Sequence, residues 1–401
     1  MLKKILKSYD YSLVIAVALL SIFGLIMIFS ASMVIAVQRY GYPSDYFYDK
    51  QKLHIIFGAI AFVITALFPY KAMQSNKFLV PMVFFSLIGL FALFIFGHAA
   101  GNAQSWFKLG SRSLQPSEFV KLTVIIYLSA VYAKKQTYIN EFNRGVVPPL
   151  VYLFLACLFV AIQPDFGTAA IIFAIAAMII FSSGMSYKNI LKLGTIGVLI
   201  VAPLVLIMQN KIFTKVRLGR FEAFQDPFVT DFGYHLVNSY LALGAGGVKG
   251  LGLGNSIQKL GYLPEAHTDF IMAVVAEELG AFGVCFVLLL LGYIVLRGLY
   301  IGLKCKDPFG SLLAIGISSM IGIQSFTNLA GISGVIPLTG VPLPFISYGG
   351  SSLLQLSLAM GILVNISMFV TYEQKYKGTK EKEHPEPVRN VSNNKIYNFR
   401  K

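Results

Sequence analysis

Titratable side chains are concentrated in the string LPEAHTDFIMAVVAEE, which joins a polar segment to an apolar one. Glu265, His267 and Asp269 occupy alternate positions before the apolar run, and Glu277 and Glu278 lie within it. Because ionised groups are costly inside a membrane segment, carboxylates retained there tend to serve a function. The string therefore predicts either acid–base chemistry at a membrane surface or a set of acidic residues that cap a helix.

A second polar group, in the string QPSEFVK, precedes another apolar run. Glu118 and Lys121 are three residues apart and so are neighbours on one helical face, and Pro116 suits the first turn of that helix. Such a pair is either a structural ion pair or part of a polar cavity, and Lys121 could also reach a phosphate. Asp165, in the turn QPDFGT, is interpreted mainly as a helix cap.

Basic residues and glycines characterise the long polar segment that precedes the first string. Arg217 and Arg220 come early, and the sequence GAGGVKGLGLG at Gly244–Gly254 supplies backbone amides with Lys249 among them. Glycine-rich backbone beside a lysine can hold phosphate oxygens. The Gly-Lys-Ser/Thr sequence of a Walker A loop is missing here, so the segment predicts phosphate binding without indicating a nucleotide.

The composition indicates that a polytopic membrane protein positions these groups. Of the 401 residues, 56% are hydrophobic and 13% are charged, whereas soluble domains are about one quarter charged. The net charge of +15 is attributed to membrane topology and anionic lipid, because the sequence contains no recognisable nucleic-acid module. The three cysteines and five histidines show neither a disulfide framework nor a zinc-ligand spacing.

Ten apolar segments are long enough to span a membrane. The first follows three lysines, but it is too long for the apolar part of a cleaved signal peptide and is interpreted as a retained signal-anchor. We therefore predict an all-α integral membrane protein with ten transmembrane helices. The predicted spans are 11–31, 53–69, 78–97, 115–133, 146–162, 167–186, 191–209, 269–296, 309–330 and 346–371.

The distribution of lysine and arginine gives the orientation. If the N-terminus is cytoplasmic, basic residues are scarce on the short outer connections, as the positive-inside rule requires. Both termini are then cytoplasmic, and one long outer loop at 210–268 joins spans seven and eight. The short outer connections keep only Arg39, Lys50, Lys52, Lys108 and Arg112.

An uncharged stretch near the C-terminus contains irregular backbone. From Pro308 to Tyr372 there is no charged residue, and glycine and proline interrupt Gly331–Gly350. Because irregular backbone at membrane depth must be buried in protein or line a cavity, we expect a re-entrant or cavity-lining outer loop rather than an ordinary rigid connection. The membrane domain is predicted to end at residue 371, and the charged segment 372–401 to be a disordered cytoplasmic tail.

Four strings in this order resemble the SEDS family of shape, elongation, division and sporulation proteins. They are QPSEFVK, QPDFGT, GLGLGNSIQKLGYLPEAHTDFI and GVPLPFISYGGSS. Together with the ten-span pattern, the resemblance extends from about residue 11 to residue 371. The wording LPEAHTDFI is closer to the division and sporulation members than to the elongation members.

The resemblance implies a peptidoglycan glycosyltransferase that polymerises lipid II on the outer face of the cytoplasmic membrane. Asp269 matches the family's essential aspartate and would be the general base for attack by a sugar 4-hydroxyl, with undecaprenyl pyrophosphate leaving. Glu265 and Asp269 would hold a divalent cation, Mg²⁺ or Mn²⁺, if one helix carries both. The residues assigned to substrate binding are Glu118, Lys121, Arg217, Arg220, Lys249, Lys259, His267 and Ser347.

The resemblance also implies partners: a cognate class B penicillin-binding protein, other membrane proteins of the division machinery, and membrane lipid at the septum. An elongation-type polymerase and a lipid II flippase remain alternatives, since intramembrane charges also mark transport pathways. A pure scaffold would leave those charges without a purpose. The position of Asp269 separates polymerase from flippase, because a base must lie at the outer surface and a pathway residue must line a route across the membrane.

Overall fold

The computed structural model describes residues 2–100, 103–110, 112–207, 209 and 214–377. Thirteen α-helices lie within these residues. Their bounds are α1 Leu2–Leu6, α2 Tyr11–Tyr40, α3 Tyr46–Leu67, α4 Asn76–Phe96, α5 Pro116–Lys134, α6 Val147–Ile162, α7 Phe166–Ser182, α8 Tyr187–Ile207, α9 Lys215–Gln225, α10 Tyr234–Gly246, α11 Ile271–Lys304, α12 Pro308–Ile332 and α13 Gly350–Tyr372. Short 3₁₀ or π turns lie at Tyr70–Gln74, Gln136–Tyr138, Phe142–Val146, Asp231–Gly233, Gln258–Leu260 and Glu373–Lys377.

Eight of the described helices have the length and apolar composition of a membrane span, namely α2, α3, α4, α5, α6, α11, α12 and α13. The predicted all-α membrane architecture is therefore confirmed. The predicted number of ten spans is not, because α7 and α8, at the sixth and seventh predicted spans, are not among the eight. Helix α7 is apolar but has only 17 residues.

The bundle has an inner set of helices and an outer set. In the most apolar 18-residue window, α5 and α12 are each 78% buried and α13 is 83% buried, whereas α4 is only 17% buried. Helix α12 packs against α5, α7 and α11, and α13 packs closely against α3. The inner set therefore provides the protein core, and helices such as α4 present their apolar side chains to lipid.

A small antiparallel sheet lies between α4 and α5. Its strands are β1 His98–Ala100, β2 Ala103–Leu109 and β3 Arg112–Leu114, with His98 opposite Trp106 and Phe107 opposite Leu114. The sequence analysis predicted only a short connection here. Two of the strands have three residues each, which is too short for a clear alternation of apolar and polar positions.

The long predicted outer loop at 210–268 contains regular structure. Helices α9 and α10 lie within it, and α10 packs against α11. Residues 210–213 lie outside the described part, as do residues 378–401 of the predicted tail. Residues 335–349, between α12 and α13, are mostly irregular, and 343–347 are buried. The predicted irregular loop is therefore present and enclosed by protein.

Candidate active site

Asp269 lies in a series of turns immediately before α11. The amides of Thr268 and Phe270 both donate to the Glu265 carbonyl at 3.2 Å, and the helix begins only at Ile271. The condition for a common helical face, a helix that extends back to Glu265, is therefore not met. The carboxylate of Glu265 instead accepts a hydrogen bond from the Thr268 hydroxyl at 2.9 Å.

The irregular loop before α13 holds the Asp269 segment through its backbone. The Ser347 hydroxyl donates to the Thr268 carbonyl at 2.7 Å, and the Tyr348 amide donates to the His267 carbonyl at 3.0 Å. The Leu343 amide donates to the Ser347 oxygen at 2.8 Å, which closes a turn in the loop itself. Ser347, predicted to bind substrate, is buried and acts here as a clamp.

Asn328 on α12 provides a second clamp. Its side-chain nitrogen donates to the Asp269 carbonyl at 2.7 Å and to the Val341 carbonyl at 2.8 Å. Gly340 lies beside the carboxylate, because a Cβ atom there would be 3.4 Å from Asp269 Oδ2. The backbone on both sides of Asp269 is thus fixed, and the residue as a whole is half-buried.

The surroundings of Asp269 favour its neutral form. The pKa of Asp269 is raised to about 7, mainly by burial and to a smaller extent by the charge of Glu265, while Arg220 lowers it. A carboxylate with a pKa near neutrality is a better proton acceptor than an ordinary aspartate. Asp269 therefore has the property expected of a general base.

Two arginines and a histidine complete this outer cluster. Arg39, at the end of α2, is 3.7 Å from Glu265 and donates to the Pro264 carbonyl at 3.4 Å. Arg220 donates to the Leu338 carbonyl at 3.4 Å and is exposed. The His235 ring stacks on Phe270 with 6.1 Å between ring centroids, and burial lowers the pKa of His235. The sequence analysis placed Arg39 on an outer connection but assigned neither Arg39 nor His235 to the site, because each is a single residue outside any motif.

Arg217 connects α9 to the turn before α7. Its guanidinium donates to the Pro164 carbonyl at 2.9 Å and lies over the Phe166 ring at 4.5 Å. Asp165 caps α7 by accepting from the Thr168 amide at 3.2 Å, as predicted. A Cβ on Gly167 would lie 3.2 Å from the Thr339 carbonyl oxygen, so this turn packs against the same loop that adjoins Asp269.

Glu118 and Lys121 form a buried ion pair on α5. Lys121 Nζ is 2.9 Å from each carboxylate oxygen of Glu118, and both side chains are enclosed by protein. The structure thus bears out the predicted helical neighbours. The ion pair agrees with the interpretation of Glu118 as a structural residue. A phosphate-binding role for Lys121 stays a prediction.

Lys259 faces the protein interior. Its Nζ lies 2.7 Å from Glu278 Oε1 and 2.8 Å from the Ser30 hydroxyl, and the lysine and glutamate side chains are at most 2% exposed. Glu277 accepts hydrogen bonds from the Ser256 hydroxyl and from the Ile257 amide. The two carboxylates inside the apolar run therefore anchor the preceding segment, and Lys259 is not directed toward a pyrophosphate.

The glycine-rich segment packs on a break in α11 through its backbone amides. Gly280 has φ 62° and ψ −155°, so the helical hydrogen bonding is interrupted there. The freed carbonyls of Glu277 and Glu278 accept hydrogen bonds from the amides of Leu251 and Gly252, both at 2.9 Å. The amides of Leu251 and Gly252 are therefore not free for a phosphate. Lys249 is exposed on the surface of this segment, and its contact with a phosphate stays a prediction.

His267 is a packing residue in this arrangement. Its ring centroid is 4.5 Å from that of Phe47 and 5.7 Å from that of Tyr348. Burial lowers the pKa of His267 to about 4, so the ring is neutral at physiological pH. The predicted contact of His267 with substrate has no exposed surface to support it.

The structure offers limited ligation for a divalent cation. No group of three or more His, Cys, Asp or Glu side chains suited to a metal occurs among the described residues. Magnesium is often held by one or two carboxylates together with substrate phosphates and water. Glu265 and Asp269 fit that smaller donor set, and a substrate pyrophosphate would have to supply further oxygens.

Comparison with known proteins identifies the family. The family model FTSW_RODA_SPOVE, described as cell cycle protein, matches residues 11–372. The chain belongs to this family. The match spans almost the same residues as the resemblance seen in the four strings, and it includes every residue of the cluster around Asp269.

Curated members of the family cover nearly the whole chain. A probable peptidoglycan glycosyltransferase FtsW from Bacillus subtilis is 57% identical over 390 residues, covering 96% of each chain. Stage V sporulation protein E from the same organism is 38% identical over 367 residues, covering 91% of this chain and 98% of its own.

Solved structures share the fold. One chain aligns with a TM-score of 0.71 at 22% identity, covering 90% of this chain and 98% of that chain. It comes from the structure "Structural coordination of polymerization and crosslinking by a peptidoglycan synthase complex". The rod shape determining protein RodA of Thermus thermophilus aligns with a TM-score of 0.63 at 23% identity, covering 90% and 96%.

Proposed function

We propose that this chain is a peptidoglycan glycosyltransferase of the division type, which polymerises lipid II at the outer face of the cytoplasmic membrane. The activity is the one named for the curated FtsW relatives. The division role is supported by the identity of 57% to the FtsW of Bacillus subtilis, against 38% to the sporulation protein of the same organism. A division role implies a location at the septum.

The observation that carries the proposal is the environment of Asp269. The residue is half-buried, the pKa of its carboxyl is raised to about 7, and its backbone is clamped by Asn328 and by the loop before α13. The distribution of lysine and arginine puts this end of α11 on the outer side. Asp269 is thus suited to act as a base on a substrate that approaches from the outer leaflet.

In the proposed step, Asp269 accepts the proton of a sugar 4-hydroxyl as the oxygen forms a bond to the anomeric carbon of a second lipid II. The bond from that carbon to the pyrophosphate oxygen breaks, and undecaprenyl pyrophosphate leaves with the electron pair. Arg220 and Arg39 lie in the same cluster and would stabilise the leaving charge. A positioned base contributes about 10²- to 10⁴-fold to such a reaction.

The proposal includes a divalent cation that would arrive with the pyrophosphate of the substrate and that Glu265 and Asp269 would hold, so the free enzyme keeps the raised pKa of Asp269. Bound there, it would lower the charge on the leaving group. We expect EDTA to abolish strand synthesis and added Mg²⁺ or Mn²⁺ to restore it. Full activity in EDTA would show that the reaction needs no cation. Arg39 and Arg220 would then stabilise the charge of the leaving pyrophosphate.

The proposed partner is a cognate class B penicillin-binding protein. The structural relative of the same fold comes from a complex whose title joins polymerization with crosslinking. A transpeptidase of this class would crosslink the strands that the present chain makes, and other division proteins of the membrane would assemble around the pair.

The proposal is tested by glycan synthesis from lipid II with purified protein and its partner. The wild type should make strands, and Asp269→Asn should reduce the rate by at least about 100-fold, the contribution of a positioned base. Asp226→Asn is the matched control, because Asp226 is an exposed aspartate in the same outer region. Its carboxylate accepts a hydrogen bond from the Phe228 amide. We expect this control to retain activity.

Two outcomes would contradict the proposal. Strand synthesis by a folded Asp269→Asn variant at the wild-type rate would remove Asp269 as the base. Failure of the wild type to make strands, combined with movement of lipid II across vesicle membranes, would favour the flippase alternative and make Asp269 a pathway residue.

A further inference from the structure

A groove runs along the outside of the bundle between α4 and α5, at the end remote from Asp269. Its volume is about 540 Å³, within the range of about 300–1,000 Å³ that is usual for small-molecule sites. The walls are largely apolar, and Asn76, Lys134 and Lys135 lie at one end. The lining residues include Leu79, Val83, Leu87, Tyr127 and Val131.

The length of the groove matches one leaflet of a bilayer. Along α4 it extends from Asn76 to Leu87, which is about 17 Å at the helical rise. Half of the hydrocarbon core of a bilayer is about 15 Å. The groove begins at the end of α4 assigned to the cytoplasm and ends near the bilayer midplane, so it fits one acyl chain of an inner-leaflet lipid.

The mouth of the groove is basic. Lys134 donates to the Asn76 side-chain carbonyl at 2.9 Å, and Lys135 donates to the Arg144 backbone carbonyl. Both acceptors are neutral oxygens, so these contacts orient the two ammonium groups without cancelling their charge. Glu141, in the adjoining connection, lies 3.9 Å from Arg144. The charge at the mouth therefore favours an anionic headgroup.

We propose that this groove binds an anionic phospholipid of the inner leaflet, with its phosphate at Lys134 and Lys135 and one acyl chain between α4 and α5. The headgroup would lie where the start of α4 meets the end of α5, because Lys134 of α5 contacts Asn76 of α4. The site is separate from the proposed catalytic cluster. Helix α5 alone, at about 28 Å, separates the mouth from Pro116 at its outer end.

The test measures lipid retention by native mass spectrometry of the purified full-length protein released from detergent. Dioleoylphosphatidylglycerol is compared with dioleoylphosphatidylcholine, which has the same acyl chains and no net charge. The wild type should retain one phosphatidylglycerol more tightly than any phosphatidylcholine. The double variant Lys134→Gln/Lys135→Gln should weaken that retention by about 30-fold, the effect of two lysines at an anionic surface.

Two matched controls separate this site from general effects of charge or of apolar surface. Lys304→Gln/Lys306→Gln removes the same charge from exposed positions on another connection assigned to the cytoplasm, and it should retain phosphatidylglycerol normally. Val80→Trp fills the groove, whereas Val63→Trp enlarges an exposed side chain of α3 outside it. Only Val80→Trp should lower retention.

The proposal is overturned by equal retention of the two lipids in the wild type. Equal loss in both double-lysine variants would also overturn it, since the effect would then be one of net charge. If Lys134→Gln/Lys135→Gln does not fold, the pair Val80→Trp and Val63→Trp decides, and equal retention by these two variants refutes the groove as the site.

Discussion

The burial of Asp269 has opposite effects on catalysis and on the stability of the folded protein. The burial that raises its pKa to about 7 improves the carboxylate as a base, but it also makes the ionised form costly in the native state. Activity should therefore depend on pH in one direction and stability in the other. Both dependences can be measured on the same preparation.

For activity, we expect kcat/KM for strand synthesis to rise about tenfold per pH unit below pH 7 and to level above it, because only ionised Asp269 accepts the proton. The measurement is a pH–rate profile at saturating partner. A profile that levels near the ordinary aspartate pKa of 3.8 would contradict the raised pKa.

For stability, the native pKa of Asp269 lies above its unfolded value of 3.8. The neutral carboxyl stabilises the native state fully when the pH is below 3.8. This stabilisation declines as the pH rises, and it is lost once the pH passes about 7. Asp269→Asn keeps a neutral side chain at every pH. We expect the variant to have a higher Tm than the wild type at about pH 8 and a similar Tm at about pH 4, measured by thermal unfolding in detergent.

The Lys259–Glu278 pair makes a prediction about buried charge. Lys259→Met should destabilise the protein by about 3–5 kcal/mol, because it leaves the buried Glu278 side chain without its partner charge. The double change Lys259→Met/Glu278→Gln should recover much of this loss, since no charge then remains buried. The surface control Lys249→Met should change the free energy of unfolding by about 0.5 kcal/mol or less. Equal losses in the single and double variants would contradict the explanation.

At the scale of elements, the glycine-rich segment packs on α11 where this helix is broken at Gly280. A Cβ on Gly250 would lie 2.2 Å from the Glu278 carbonyl oxygen, and Gly250 has a φ of +74°. The close approach lets two amides of the segment satisfy carbonyls that the break at Gly280 exposes. The glycines thus serve backbone packing, and the helix break depends on them.

Gly250→Ala should destabilise the protein by more than about 1 kcal/mol, because both the clash and the left-handed backbone oppose the added methyl group. Gly244→Ala is the control. Gly244 lies in α10, where a Cβ would meet no atom within 4 Å, so alanine should be neutral or stabilising. Thermal unfolding of the two variants tests the assignment, and similar losses in both would refute it.

At the scale of the whole molecule, the sequence predicted the features that depend on residues close together in the chain. Apolar runs of about 20 residues marked most of the long helices, and the family strings marked Asp269. The boundaries were less certain: α3 begins at Tyr46 rather than 53, and α11 begins at Ile271 and continues to Lys304. Helical structure can extend into polar residues when neighbouring helices pack against them.

What the sequence did not predict depends on contacts between distant residues. Ser30, Lys259 and Glu278 form one buried network, yet Ser30 is 229 residues from Lys259. Arg39 joins the Asp269 cluster only because the end of α2 packs beside it. The glycine-rich segment matched a phosphate-binding pattern, but whether its amides are free is decided by the carbonyls that α11 presents to them.

The clamp around Asp269 has a practical consequence. Asn328, Ser347 and the Tyr348 amide hold backbone carbonyls of residues 267–269, so the shape of the segment does not depend on the aspartate side chain. A protein with Asn at position 269 should therefore keep an intact, correctly shaped site that cannot turn over. Such a variant would serve as a trap, in which both lipid-linked sugars could be captured side by side for structure determination.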